Sequence, residues 1–144
     1  MYILAVDDDV AMTELTAMLL RTHGFTVRTA NTAKDAISII SENWPQAVVL
    51  DLMMPDMDGR QVCRKIREFS NVPIIILSAL NDPESVASAL DSGADDYLVK
   101  PVPSDVLAAH LNRIIKRTGR LSLPPQKPLK AWEMPTIPTT GPLK

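Results

Sequence analysis

Five short, mostly uncharged apolar runs, at residues 2–6, 25–29, 47–50, 73–77 and 96–99, constrain this chain more than any other feature. Each is too short for a helix and bounded by turn or polar residues, so each reads as a strand. Between them lie segments with apolar residues at steps of three and four. Ala11, Leu15, Met18, Leu19 and Thr22 predict a first helix, closed by Gly24. Asn31 or Thr32 caps a second, with Ala33, Ala36, Ile37 and Ile40 as its apolar face. Val62, Ile66 and Phe69 mark a third over 60–69, and Pro83, Val86 and Leu90 a fourth, ended by Gly93. Leu107, Leu111, Ile114 and Ile115 mark a fifth that finishes in Lys116 and Arg117, charges suited to a helix C-terminus. Strict alternation of strand and helix predicts a parallel sheet covered on both faces, because each right-handed crossover lays its helix against the sheet.

A chain of 144 residues can bury a core of its own as one domain. Residues 1–118 hold eleven Lys or Arg against sixteen Asp or Glu, a balance of −5, which argues against direct nucleic-acid binding by this part. Cys63 is the single cysteine, so no internal disulfide is expected, and a cytoplasmic setting suits it. The start of the chain has no basic segment and too short an apolar run for a signal peptide, and nothing approaches the ~20 apolar residues of a membrane span. Residues 119–144 hold six of the twelve prolines and balance at +3, a Pro-rich tail or linker. Within it Trp132, flanked by Leu129 and Met134, is expected to pack on this domain or on a neighbouring molecule.

The third run ends on a carboxylate, Asp51, and Pro55 with the turn-forming residues 56–59 prevents its continuation. A strand-end Asp is most often a simple cap. In a parallel sheet, however, all carboxyl ends lie at one edge, where such sheets bind ligands. Asp7, Asp8, Asp51, Ser78 and Lys100 should therefore converge. Three carboxylates at one spot repel unless a cation joins them, and an oxygen-rich site suits Mg²⁺. A carboxylate beside a dication and an ammonium is a competent nucleophile toward phosphorus, since both cations neutralise the transferring oxygens. The deduced reaction is phosphoryl transfer onto Asp51, with Ser78 donating to a phosphoryl oxygen and the small Ala79 leaving room.

Other polar residues have plainer readings. Asp9 is expected to cap the first helix. The stretch Asp56-Met57-Asp58-Gly59 lacks the spacing and distal Glu of a calcium loop. His23 and His110 have no partner at ligand spacing and are expected at the surface or at helix ends, and Cys63 is expected to pack.

Val6-Asp7-Asp8-Asp9, the stretch from Val49 through Asp51 to Gly59, Leu77-Ser78-Ala79, Gly93-Ala94-Asp95-Asp96-Tyr97 and Lys100-Pro101 closely resemble, in order and spacing, the receiver domain of bacterial response regulators. The likeness covers residues 2–117. It implies an α/β, flavodoxin-like, doubly wound sheet of five parallel strands in the order 2-1-3-4-5 with five helices, with a receiver at 1–118 and a tail at 119–144. Asp51 would accept phosphate from a sensor histidine kinase or a histidine phosphotransfer protein. Asp8, Asp51 and the backbone carbonyl of Met53 would hold Mg²⁺, Asp7 would act through water, and Ser78 and Lys100 would bind the phosphoryl group. A cis peptide would precede Pro101. On phosphorylation Ser78 would move toward the phosphate and Tyr97 inward, remodelling the face of the fourth helix, fifth strand and fifth helix. The likeness implies a phosphoacceptor switch rather than a turnover enzyme, either joined to an output domain or standing alone and acting by docking.

Two departures from the family pattern carry expectations. Met53 and Leu80 stand where fast-dephosphorylating receivers place polar residues, so a long-lived phosphoryl group is expected. Val102 and His110 replace the Phe and Arg of receivers tied to winged-helix DNA-binding domains, which argues against dimerisation through their charged face.

Overall fold

A computed structural model describes residues 1–119; residues 120–144, and with them the expected packing of Trp132, lie outside the described residues. The elements are β1 (Ile3–Val6), α1 (Val10–Thr22), β2 (Val27–Ala30), α2 (Ala33–Glu42), β3 (Ala47–Asp51), α3 (Gly59–Arg67), β4 (Ile74–Ser78), α4 (Pro83–Asp91), β5 (Asp96–Val99) and α5 (Ser104–Gly119). All strands pair in parallel, in the order β2-β1-β3-β4-β5. The alternation of runs predicts the parallel sheet, and its strand order is the one that the family likeness implies.

Successive strand residues point to opposite faces, so each strand feeds two cores. Leu4, Val6, Val48, Leu50, Ile74 and Ile76 pack under α2, α3 and α4. Ile3, Ala5, Val49 and Ile75 pack under α1 and α5, against Ala17, Leu20, Leu107 and Leu111. Every residue of β1 and β3 is buried, which explains why those runs show no alternation in sequence.

Side-chain caps define where the helices start. Asp9 accepts from the N–H groups of Ala11 and Met12. Thr32 accepts from Asp35, and Asp82 from Ser85 with Pro83 in the first turn. Asp58 and Gln61 form a capping box on α3. Gly24 (φ 91°) and Gly93 (φ 117°) leave α1 and α4 through left-handed backbone. Arg67 then locks the lower edge. Its guanidinium donates to the carbonyls of Gly93 (3.0 Å), Ser70 (3.1 Å) and Val72 (2.7 Å) and pairs with Asp95 (2.9 Å).

Two helices bury a different face from the one their large apolar residues suggest. In α1 the buried residues are Thr13, Ala17 and Leu20, while Leu15, Met18 and Leu19 are exposed. In α4, Ser85 and Ala89 are buried and Leu90 is exposed. Small side chains let these helices approach the sheet closely, and a three-four spacing recurs on either face of a helix. The buried Ser85 hydroxyl is satisfied by Asp82, 3.0 Å away.

Candidate functional site

The carboxyl ends of β1 and β3 are adjacent, with Val6 opposite Leu50, so Asp7 and Asp8 follow one strand as Asp51 ends the next. One carboxylate oxygen from each of Asp7, Asp8 and Asp51 lies within 4.8 Å of the others. Lys100, just past β5, reaches across to them. Its Nζ is 3.2 Å from Asp7 Oδ2 and 3.8 Å from Asp51 Oδ2. A cis peptide joins Lys100 to Pro101, as the family likeness implies.

The electrostatics are those of an acid held against its preference. Burial pushes the Asp51 carboxyl up to about 6, Lys100 opposes the shift, and Asp7 adds to it. Asp51 Oδ1 also accepts from the Met53 N–H at 3.3 Å, and Asp7 Oδ1 from the Asp9 N–H at 3.0 Å. One lysine facing three carboxylates leaves net negative charge in a half-enclosed place. The donors are all hard oxygens and the charge is uncompensated, so the residues present fit a small divalent cation.

The remaining expected site residues lie at the same edge. Ser78 ends β4, one residue past the Leu77 that pairs with Asp51. It is fully buried, and its hydroxyl accepts from the Leu80 N–H at 3.1 Å rather than contacting Asp51, which leaves its own proton free to donate. The Ser78 carbonyl accepts from Lys100 N–H at 2.8 Å, tying the two strand ends together. Met53 is exposed at the start of the loop after β3. Tyr97 is half-buried on β5, its hydroxyl donating to the Leu80 carbonyl at 2.7 Å.

Gly59 closes that loop over Asp51. Its N–H donates to the Leu52 carbonyl, and a Cβ there would meet Leu52 Cα at 2.7 Å and the Asp51 carbonyl oxygen at 3.0 Å. The loop acids are spent on helix ends. Asp58 caps α3 and pairs with Arg60, and Asp56 accepts from Ala33 N–H and Lys34 N–H at the start of α2. An open cleft of about 260 Å³ extends from Asp7, Asp51 and Lys100 along the apolar side chains of Leu15, Leu19 and Val102.

Sequence reasoning missed two arrangements. His110 is not without a partner: its Nδ1 lies 2.6 Å from Asp96 Oδ2, with Arg113 3.5 Å from the same oxygen. These groups come from β5 and α5, and their spacing in sequence is no ligand spacing. Asn31, read only as a candidate cap, instead donates to the Asp7 carbonyl at 2.8 Å and to Thr13 Oγ1 at 3.0 Å. The signal was topological, since β2 lies beside β1 and residue 31 must emerge next to residue 7.

Residues 3–112 match the family model of the response regulator receiver domain. The transcriptional regulatory protein AfsQ1 of Streptomyces coelicolor is 43% identical over 120 residues, covering 83% of this chain and 53% of that protein. The response regulator MprA of Mycobacterium leprae is 40% identical over 119 residues, 82% of this chain and 52% of that protein. The chain thus spans about half the length of the curated relatives it matches. Among solved structures, a two-component response regulator from Clostridium difficile superposes with a TM-score of 0.78 at 32% identity, over 81% of this chain and 97% of that one. The receiver domain of the Francisella response regulator 1452 does so with a TM-score of 0.76 at 35% identity, over 81% and 98%.

Proposed function

The chain belongs to the response regulator receiver family, and from that premise we propose that it is a phosphorylation switch in which Asp51 is the acceptor. The observation that carries this reading is the meeting of Asp7, Asp8, Asp51 and Lys100, which come from three strand ends. An Asp51 oxygen forms the new bond to phosphorus as the bond to the donor's histidine nitrogen breaks. The product is an acyl phosphate. Lys100 stands where it can pair with a phosphoryl oxygen, and the Ser78 hydroxyl has a proton to offer another. Asp8, Asp51 and the Met53 carbonyl would hold Mg²⁺, with Asp7 acting through water. When bound, the ion would supply positive charge against the phosphoryl oxygens.

The partner that delivers the phosphoryl group is a sensor histidine kinase or a histidine phosphotransfer protein. Exposed Leu15, Met18 and Leu19 on one side of α1, with Leu15 and Leu19 lining the cleft, offer an apolar docking face for it. The output follows from the face made by α4, β5 and α5, where the Tyr97 hydroxyl holds Leu80 and where Leu90, Val99 and Val106 are exposed. Its target is a further domain or a docking partner. Pairing of Asp96 with His110 and Arg113 within the chain engages charges that an ionic dimer face would need, which supports docking over the charged dimer route.

Incubation with acetyl phosphate and Mg²⁺, read by intact mass, tests the reading. Wild type is expected to gain one phosphoryl group and Asp51→Asn none. Equal labelling of both would place the acceptor elsewhere.

A further inference from the structure

Asp8 is the one carboxylate of the cluster that makes no side-chain hydrogen bond or ion pair among the described residues, and it is exposed. With no partner holding the side chain, the place from which it reaches the cluster depends on how its backbone is held. The peptide that joins Asp7 to Asp8 lies just beyond the β1 ladder, where the Asp7 N–H still reaches the Ala30 carbonyl at 3.2 Å. The carbonyl of that same peptide is taken by Asn31 Nδ2 at 2.8 Å. Holding both the amide before Asp7 and the carbonyl after it fixes the plane from which the Asp8 side chain leaves.

Asn31 can do this because it is itself anchored on both sides. Its second bond goes to Thr13 Oγ1, a buried hydroxyl whose own proton is spent on the Val10 carbonyl. The next residue, Thr32, caps α2. The following N–H groups of Ala33 and Lys34 are gripped by the Asp56 carboxylate at 2.9 and 3.4 Å. Asp56 lies in the loop that begins at Asp51 and Met53. Residues 31–34 thus bridge the loop that carries Asp7 and Asp8 to the loop that follows Asp51.

Resting on the reading of this cluster as a divalent-cation site, we infer that Asn31 is a positioning residue for that site: it touches neither ion nor phosphoryl group, but orients the Asp7–Asp8 peptide so that Asp8 can share a cation with Asp51. Losing a group that orients metal ligands typically costs about 10- to 100-fold in metal affinity.

Mn²⁺ binding followed by electron paramagnetic resonance, paired with thermal melting of the same samples without ion, tests this. Asn31→Ala is expected to weaken Mn²⁺ binding by about tenfold. Thr32→Ala serves as the structural control, because it removes the neighbouring cap while leaving both Asn31 bonds in place. It is expected to lower the melting temperature but to keep affinity within about twofold of wild type. Asn31→Ala with affinity within about twofold of a wild type that binds would overturn the positioning role alone. So would a Thr32→Ala loss as large as that of Asn31→Ala. A wild type that fails to bind Mn²⁺ would remove the cation site itself and this role with it.

Discussion

At the scale of single residues the proposed acceptor carboxylate is a source of instability. The Asp51 carboxyl is pushed up to about 6 because burial disfavours its charge, with Lys100 offsetting only part of the cost. An acid bound more tightly to its proton in the folded state contributes stability below its unfolded value near 4, and that contribution is lost as pH rises through about 6. Ion-free Asp51→Asn is therefore expected to melt above wild type at pH ~7.5, with the gap narrowing progressively as pH falls toward ~4. A pH series of thermal melts checks the sign, and a gap that ignores pH contradicts it. At Cys63 burial acts in the same direction but without that cost, because a thiol is neutral near pH ~7. Burial pushes its thiol up to about 11 and it packs between α3 and the sheet, so it serves the core and not the chemistry.

At the scale of elements, the helices separate period from face. The three-four pattern of α1 correctly locates a helix, yet the side that touches the sheet is Thr13, Ala17 and Leu20. Leu20→Ala is accordingly expected to cost about 2–5 kcal/mol, whereas the neighbouring exposed Leu19→Ala should cost less than about 1 kcal/mol. Chemical denaturation of the two variants measures the difference directly, and equal losses would reverse the assignment of faces. The loop after β3 has a tighter demand. Gly59→Ala forces a methyl against Leu52 Cα and the Asp51 carbonyl, which are backbone atoms with nowhere to go. A loss of about 1–3 kcal/mol is expected, together with slower acetyl phosphate labelling, because the displaced atoms belong to Asp51, the proposed acceptor, and to the residue after it. Unchanged stability and labelling would show that the loop yields more easily than its contacts imply.

At the scale of the whole molecule, the proposed switch would have to couple one edge of the sheet to the face of α4, β5 and α5. Leu80 is the physical link, since its N–H donates to the Ser78 hydroxyl and its carbonyl accepts from Tyr97. Moving such an equilibrium from mostly off to mostly on needs about 5 kcal/mol of differential stabilisation. New charge-assisted bonds at Asp51 are the source available. By the family likeness, Leu80 and Met53 stand where fast-dephosphorylating receivers carry polar residues. The phosphorylated protein is expected to keep its label through desalting and hours of incubation without a phosphatase, and Met53→Asn to lose it faster. Rapid loss from wild type would contradict the expected long lifetime.

Much of this was legible in the chain as written. Uncharged runs and helical spacing determine which segments are strands and helices, and strict alternation determines a parallel sheet with all its carboxyl ends together. Because that geometry is a property of chain direction alone, Asp7, Asp8, Asp51 and Lys100 could be brought to one edge without coordinates. The tertiary structure decided what depends on neighbours remote in sequence. It set which face of α1 and α4 is buried, since small residues at a close contact leave no mark in hydropathy. It paired His110 with Asp96, and it sent Asn31 to a backbone carbonyl that only the neighbouring strand brings within reach. Those are contacts between separate elements, and local periodicity carries no information about them.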